Sequence, residues 1–114
     1  MSACLFCKII AGEIPSHLVH DDQDVVAFKD INPQAPLHVL IVPRRHIATL
    51  NDLAPADDAL VGIMFRRAAA LAQQHGHAER GYRTVLNCNR DAGQTVFHIH
   101  LHLLAGRGLG WPPG

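Results

Sequence analysis

Three histidines alternate with aliphatic residues near the C-terminal end of the chain, in the segment His98-Ile99-His100-Leu101-His102-Leu103-Leu104. Successive side chains of a β-strand point to opposite faces of a sheet, so a strand here places the three histidines on one face. The aliphatic residues then share the other face and can pack on a core. A buried imidazole without a partner costs about 1–3 kcal/mol. Three of them in alternation therefore indicate chemistry rather than packing, although a single strand histidine is usually structural.

Two kinds of chemistry suit such a row of imidazoles. One is a metal site, because imidazole is the commonest protein ligand of metals. The other is nucleophilic catalysis, in which one imidazole attacks the substrate while its neighbours orient it or move protons. The pattern by itself leaves both open.

A second candidate site begins with the pair Cys4 and Cys7, whose spacing suits two ligands of a tetrahedral zinc ion. His46 and His98 are the candidates to complete such a set. A redox function would require the cysteines to begin a helix in a βαβ pattern, and the chain shows no such alternation. The alternative is that both cysteines are reduced and pack as small apolar residues.

Composition limits the classes of function. The chain has 114 residues, 48% of them hydrophobic, which fits a single domain over 1–114 with a Gly/Pro-rich tail at 106–114. Ten basic residues balance ten acidic ones, so there is no basic field for a nucleic acid polymer. We expect no membrane span, because no apolar run reaches about 18 residues. The first residues lack the pattern of a secretory signal, and three cysteines suit a reducing cytoplasm better than a disulfide framework.

The elements that must position these residues form an α+β domain with an antiparallel sheet. A helical turn is predicted over Cys4–Ala11, with Gly12 as its C-cap, and Pro55 begins a long amphipathic helix that runs to about His75. The prolines of 31–36 predict a fixed loop, and a second polar loop covers 87–95. The predicted strands are His17–Asp21, Val25–Asp30, His38–Val42, Tyr82–Cys88 and the histidine segment.

From about Cys4 to its last residue, the chain resembles the histidine-triad (HIT) proteins, and within them the Hint branch of nucleotide-binding proteins. The motifs that carry the resemblance are Phe6-Cys7-Lys8-Ile9-Ile10, Gly12-Glu13-Ile14-Pro15, Asp30-Ile31-Asn32-Pro33-Gln34-Ala35-Pro36-Leu37-His38, Gly93-Gln94-Thr95-Val96-Phe97-His98-Ile99-His100-Leu101-His102 and Trp111-Pro112-Pro113-Gly114. This resemblance implies the HIT fold, with a five-stranded antiparallel sheet, one long helix and one short one. It also implies a homodimer in which two sheets join into one of ten strands.

The resemblance also implies an enzyme that binds purine nucleoside monophosphates and hydrolyses the P–N bond of adenosine or guanosine 5′-monophosphoramidates, with no cofactor required for catalysis. By position, His100 is the expected nucleophile, which forms a nucleotidyl-histidine, and His102 lies beside it near the phosphate. His38 and His98 complete the histidine cluster, and Thr95 supplies a hydroxyl. The residues that match the nucleotide site are Phe6, Ile9, Ile14, Phe28, Asp30, Ile31, Leu40, Asn87, Gly93, Thr95, His100, His102 and, from a tail that reaches the partner subunit, Trp111.

Two departures and two alternatives accompany this interpretation. Thr95 stands where a serine is usual, and Ala105-Gly106 stands where Gly-Gly is common. Some bacterial members similar to this chain carry a cysteine pair with bound zinc. A dinucleoside polyphosphate hydrolase is the alternative enzyme, and a non-enzymatic nucleotide-binding or adaptor protein is the alternative of another class.

Overall fold

An antiparallel sheet of five strands forms the centre of the protein, as seen in a computed structural model that describes residues 3–114. Residues 1 and 2, which belong to the predicted domain and to the segment expected to lack a signal, lie outside the described residues. The spatial order of the strands is β1-β2-β3-β5-β4. Their bounds are Leu18–Asp21 for β1, Val25–Lys29 for β2, Leu37–Pro43 for β3, Tyr82–Val85 for β4 and Leu101–Ala105 for β5.

Two α-helices accompany the sheet, a short α1 at Leu5–Ile10 and a long α2 at Asp58–Gln74. Pro55 begins a 3₁₀ turn that leads into α2, so the proline stands at the start of the helical segment as predicted. Gly12 has a φ of 78° and follows the C-cap residue Ala11, which places the glycine one position later than expected.

Each face of the sheet buries its own apolar cluster. Side chains from alternate positions of the strands pack against Met64, Ala68 and Leu71 of α2 on one face. The other face carries Phe6 of α1 and a smaller cluster. The candidate site lies on this second face, beside α1. The smaller cluster consists of Phe6, Val26, Phe28, Leu40 and Val42.

The predicted fold class is confirmed by this sheet and its two helices. The histidine segment differs in one respect, because β5 begins at Leu101 rather than at His98. The backbone carbonyl of His98 accepts a hydrogen bond from the side chain of His100 at 2.8 Å. A side chain that takes a backbone group in this way competes with the strand ladder. The alternation of faces is nevertheless kept, since Ile99, Leu101 and Leu103 all belong to the cluster against α2.

The end of β4 differs from the prediction, and the backbone at Ala105-Gly106 is now defined. The strand β4 ends at Val85 rather than Cys88, and irregular backbone leads from there to the 3₁₀ turn at Arg90–Ala92. Ala105 is a regular residue of β5, and the positive φ of 98° belongs to Gly106, so the alanine is accommodated without backbone strain. A Cβ at Gly106 would come within 2.8 Å of Pro36, which explains the glycine at that position.

Among residues 3–114, no helix is both long and apolar enough to span a bilayer.

Candidate active site and metal centre

A pocket opens on the sheet face that carries α1, between that helix, the strands and the loop before β5. His100, His102 and Asp30 all line it. Most of its other lining residues are apolar, as is usual for the pocket of a small-molecule ligand. The other lining residues are Leu5, Phe6, Ile9, Ile14, Pro15, Ser16, Phe28, Lys29, Ile31, Leu40, Thr95 and Val96.

The ring of His100 is held at one nitrogen and open at the other. Its Nδ1 lies 2.8 Å from the carbonyl oxygen of His98. A carbonyl can only accept a hydrogen bond, so Nδ1 carries the proton and Nε2 carries the lone pair. Phe6 packs against the same ring edge to face, with centroids 5.0 Å apart and planes at 89°. Burial lowers the pKa of His100 below its usual value, against the opposing effects of the His98 carbonyl and Asp30. The neutral form of the imidazole is therefore favoured.

A second chain of hydrogen bonds fixes the protons of His38 and His102. The backbone N–H of Gln34 donates to Nδ1 of His38 at 3.0 Å, so that nitrogen carries no proton. Neutral His38 therefore has its proton on Nε2, which lies 2.9 Å from Nδ1 of His102 and donates to it. His102 then has its own proton on Nε2. Burial, with contributions from His100 and His38, lowers the pKa of His102 to about 4, so the ring is neutral near pH 7.

Asp30 lies where the loop between β2 and β3 begins. One carboxylate oxygen accepts the backbone N–H of Asn32 at 2.8 Å, and the other lies 3.4 Å from Nε2 of His38. Asp30, His38 and His102 are close enough to be considered as ligands of one metal ion. The chain of hydrogen bonds argues against this. Nε2 of His38 is protonated while Nδ1 accepts from the backbone, so His38 has no free lone pair for a metal.

The second cluster of metal-binding side chains is the one predicted from the sequence. Cys4, Cys7, His46 and His98 each offer one donor atom, and these four atoms lie within 4.8 Å of one another. From Nδ1 of His98, the distances are 3.4 Å to Sγ of Cys4, 3.6 Å to Sγ of Cys7 and 3.2 Å to Nδ1 of His46. Sγ of Cys7 lies 3.5 Å from Nδ1 of His46. Four ligands around a tetrahedral zinc ion at ordinary bond lengths lie about 3.3–3.8 Å apart.

The other ring nitrogen of His98 supports the same interpretation. Nε2 lies 2.7 Å from the carbonyl oxygen of Pro43 and therefore donates its proton there. Nδ1 is left with its lone pair toward the cysteines, which is the arrangement found around metal-bound histidines. His98 is fully buried, and burial lowers its pKa, which keeps the ring neutral.

Some of the predicted site residues do not line the pocket, and some residues that line it were not predicted. Asn87, Gly93 and Trp111 do not line this pocket, and Trp111 is 83% exposed at the surface of the subunit. Leu5, Pro15, Val96 and the polar Ser16 and Lys29 do line it, and sequence reasoning missed them. Ser16 and Lys29 gave no signal in the sequence, because a serine and a lysine at chain positions of this kind are ordinary surface residues.

Comparison with known proteins places this geometry in a family. A protein-family model described as "Scavenger mRNA decapping enzyme C-term binding" matches residues 3–109. The purine nucleoside phosphoramidase of Escherichia coli K12 is 52% identical over 106 residues, which cover 93% of this chain and 89% of that protein. A "14 kDa zinc-binding protein" of Zea mays is 47% identical, with 99% of this chain and 89% of that protein covered.

Solved structures agree with the sequence matches. The crystal structure of a HIT family hydrolase from Legionella pneumophila is similar with a TM-score of 0.96 and 55% identity, covering 97% of this chain and 99% of that one. The chain belongs to the histidine-triad (HIT) family. Both the family and its hydrolase class agree with the prediction made from the sequence motifs.

Proposed function

We propose that this protein is a purine nucleoside phosphoramidase, which hydrolyses the P–N bond of adenosine or guanosine 5′-monophosphoramidates through a nucleotidyl-histidine on His100. The observation that carries the proposal is the hydrogen bond from Nδ1 of His100 to the carbonyl of His98, at 2.8 Å. It leaves Nε2 as a lone pair on a ring that lines the pocket. The name of the E. coli relative supports the choice of substrate.

Attack by His100 is the first step. The bond from Nε2 to phosphorus forms as the bond from phosphorus to the amine nitrogen breaks. The ring then carries a positive charge, and the carbonyl of His98, still bound to Nδ1–H, stabilises it. Water hydrolyses the nucleotidyl-histidine in the second step and releases the nucleoside monophosphate.

His102 and Thr95 are assigned the two remaining roles, a hydrogen bond to the phosphate and the donation of a proton to the leaving nitrogen. The order of protons along Gln34, His38 and His102 makes Nε2–H of His102 a hydrogen-bond donor for a phosphate oxygen. The leaving nitrogen must gain a proton, which we assign to the hydroxyl of Thr95. That residue lines the pocket and is exposed, so the water that attacks in the second step can return the proton to it.

The apolar lining and Asp30 are expected to hold the nucleoside. The apolar side chains of Phe6, Ile9 and Ile14 are expected to contact the base. Asp30 offers a carboxylate oxygen for the ribose hydroxyls, while its other bonds fix its position.

Turnover of two substrates tests this function. Adenosine 5′-phosphoramidate should be hydrolysed to AMP, whereas diadenosine polyphosphates should be turned over far more slowly. The opposite preference would make the protein a dinucleoside polyphosphate hydrolase. Binding of AMP with no turnover of either substrate would leave only the binding or adaptor function.

We also propose that Cys4, Cys7, His46 and His98 hold a structural zinc ion. The support is the agreement of three distances with tetrahedral spacing, a fourth that is slightly shorter, and the donation of His98 Nε2–H to Pro43. Bound zinc would join α1 to the segment before β5. The name of the maize relative is consistent with this site.

Metal analysis decides the zinc proposal. Protein purified without chelator and without a polyhistidine tag should carry close to one equivalent of zinc, and a Cys4→Ser variant should lose it. Less than about a tenth of an equivalent in the unmodified protein would exclude a structural site. We further expect the protein to act in the cytoplasm, where reduced cysteines are available as ligands.

A further inference from the structure

The loop between β4 and β5 contains a buried glutamine that the proposed reaction does not use. Gln94 is only 6% exposed. Its Nε2 donates to the carbonyl of Ala48 at 2.9 Å and to the carbonyl of Val96 at 3.1 Å. Its Oε1 accepts the backbone N–H of Asn89 at 2.8 Å. One side chain thus joins three separate points of backbone.

Asn89 has a backbone conformation that the glutamine supports from both sides. Its φ of 65° and ψ of −167° lie in a region that is almost reserved for glycine, and no other described non-glycine residue has a positive φ. The N–H of Asn89 donates to the side chain of Gln94, and the N–H of Gln94 donates back to the carbonyl of Asn89 at 3.0 Å. Strained residues persist where their surroundings fix them, and they concentrate at functional sites.

Thr95 lies between two residues that these bonds fix, Gln94 and Val96. Both Thr95 and Val96 line the pocket next to His100. Gln94 donates to the carbonyl of Ala48. The neighbouring carbonyl, that of Ile47, accepts the N–H of Ile99 at 2.8 Å, from the other end of the loop. Gln94, which directly precedes Thr95, and Ile99, which directly precedes His100, are therefore both hydrogen-bonded to residues 47–48.

We propose that Gln94 is a positioning residue, which holds Thr95 and the adjacent backbone at the place where the substrate's phosphate binds. The proposal rests on the proposed function, since that function puts a phosphate beside Thr95 and His100. A glutamine that served only folding would hold the domain together without favouring ligands that carry a phosphate.

The test compares adenosine with AMP, which differ only in the phosphate. A Gln94→Met variant keeps the length of the side chain and loses its hydrogen bonds. AMP should bind it about tenfold more weakly, and adenosine should bind within about twofold of the unmodified protein. The kcat for adenosine 5′-phosphoramidate should fall by roughly 10- to 100-fold. Gln73→Met, at an exposed position of α2, is the control for the exchange itself and should change none of these values.

A rescue experiment separates positioning from folding. Asn89→Gly removes the backbone strain, so it should not alter the unmodified protein, and it should restore kcat of Gln94→Met by roughly threefold or more. Gln94→Glu, which keeps an acceptor for Asn89 but loses both donors, should show the same loss for AMP if Gln94→Met fails to fold.

Three results would contradict these expectations, and they distinguish a failure of the Gln94 role from a failure of the proposed function. Equal losses of adenosine and AMP affinity in folded Gln94 variants, or no loss of either, would overturn the positioning role. If the unmodified protein bound AMP no better than adenosine and did not cleave the P–N bond, the proposed function itself would be wrong. Normal turnover by the unmodified protein together with unaffected Gln94 variants would reject the role of Gln94 alone.

Discussion

Hydrogen bonds to backbone groups decide which nitrogen of each site histidine carries a proton. His100 donates from Nδ1 to a carbonyl, and His98 donates from Nε2 to another. His38 is the reverse case, since it accepts at Nδ1 from a backbone N–H. Three residues of the same type thus have the proton arrangements that suit the proposed nucleophile, the proposed metal ligand and a donor to a neighbour. Their identity alone does not determine these roles, but their backbone partners do.

The first prediction concerns the order of protons along His38 and His102. In a His38→Phe variant, Nδ1 of His102 loses its donor at 2.9 Å, so the ring is free to place its proton on the wrong nitrogen. We expect kcat to fall by about 10- to 100-fold with little change in KM. A His38→Gln variant keeps an N–H near the position of Nε2 and should recover part of the loss. Equal rates for the two variants in steady-state assays would show that the donor is unimportant.

At the scale of elements, the sequence pattern predicted which faces the residues share better than it predicted where strands end. The alternation in 98–104 correctly separated the histidine face from the aliphatic face, because the period of a strand depends only on its backbone. The start of β5 at Leu101 could not be predicted, since the backbone before it bonds outside the ladder, at the carbonyl of His98 to the ring of His100 and at the N–H of Ile99 to Ile47. The spacing of Cys4 and Cys7 also indicated a pair of metal ligands. Their approach to His46 and His98 is a tertiary contact, which spacing alone does not determine. Gln94 was missed because a lone glutamine in a polar loop gives no signal.

One element-level prediction concerns the hairpin between β1 and β2. Asp22 accepts the backbone N–H groups of Asp24 and Val25 at 2.8 and 2.9 Å, and Nε of Arg67 on α2 donates to it at 2.7 Å. Burial by itself raises the pKa of Asp22, but hydrogen bonds from Arg67, His20 and the two amides outweigh it and hold the pKa well below its usual range. The carboxylate thus links the hairpin to α2.

Replacing this carboxylate should weaken the fold. Asp22→Ala should lower the free energy of unfolding by about 1–3 kcal/mol, measured by urea denaturation at one protein concentration. Asp91→Ala is the control, because Asp91 and its partner Arg90 are 90% and 93% exposed and their ion pair should contribute almost nothing. Similar effects of the two substitutions would contradict a structural role for Asp22.

At the scale of the whole molecule, the two edges of the sheet differ. The edge strand β1 has an irregular register between Leu18 and His20, and such a bulge discourages pairing with another sheet. The register of β4 with β5 is regular over all its residues, and its outer edge is open. An open regular edge, together with the exposed Tyr82 on β4, favours association through this strand.

We therefore expect a homodimer with the two β4 strands at its centre. Sedimentation at micromolar concentration should give a species of about 25 kDa, twice the 12.5 kDa of the chain. Tyr82→Lys on β4 should shift the protein toward the monomer, while Leu18→Lys on β1 should not. A species of 12.5 kDa alone would rule out the dimer, and dissociation by Leu18→Lys instead would place the interface at the other edge.

Acid should destabilise the folded protein through His102. In the unfolded chain, a histidine binds its proton near pH 6.5, whereas burial and the neighbouring rings of His100 and His38 lower the pKa of folded His102 to about 4, with Asp30 opposing them. Between these values the unfolded state binds more protons, so stability is full above pH 6.5 and falls toward pH 4. One such group changes the free energy of unfolding by up to about 1.4 kcal/mol per pH unit. Urea titrations at pH 7, 6 and 5 should show a smaller slope for His102→Gln, and equal slopes would contradict the argument.

The covalent intermediate on His100 is the central claim, and rapid quench with a phosphorus-labelled adenosine phosphoramidate tests it most directly. The account predicts an acid-labile, base-stable label on the protein within one turnover, located on His100 by peptide mapping. His100→Ala should carry no label and should lose at least about 10³-fold in kcat while binding AMP within about tenfold of the unmodified protein. His102→Ala should still form the label, with kcat lower by about 10²-fold. Normal turnover by His100→Ala, or a label at another residue, would contradict the assignment.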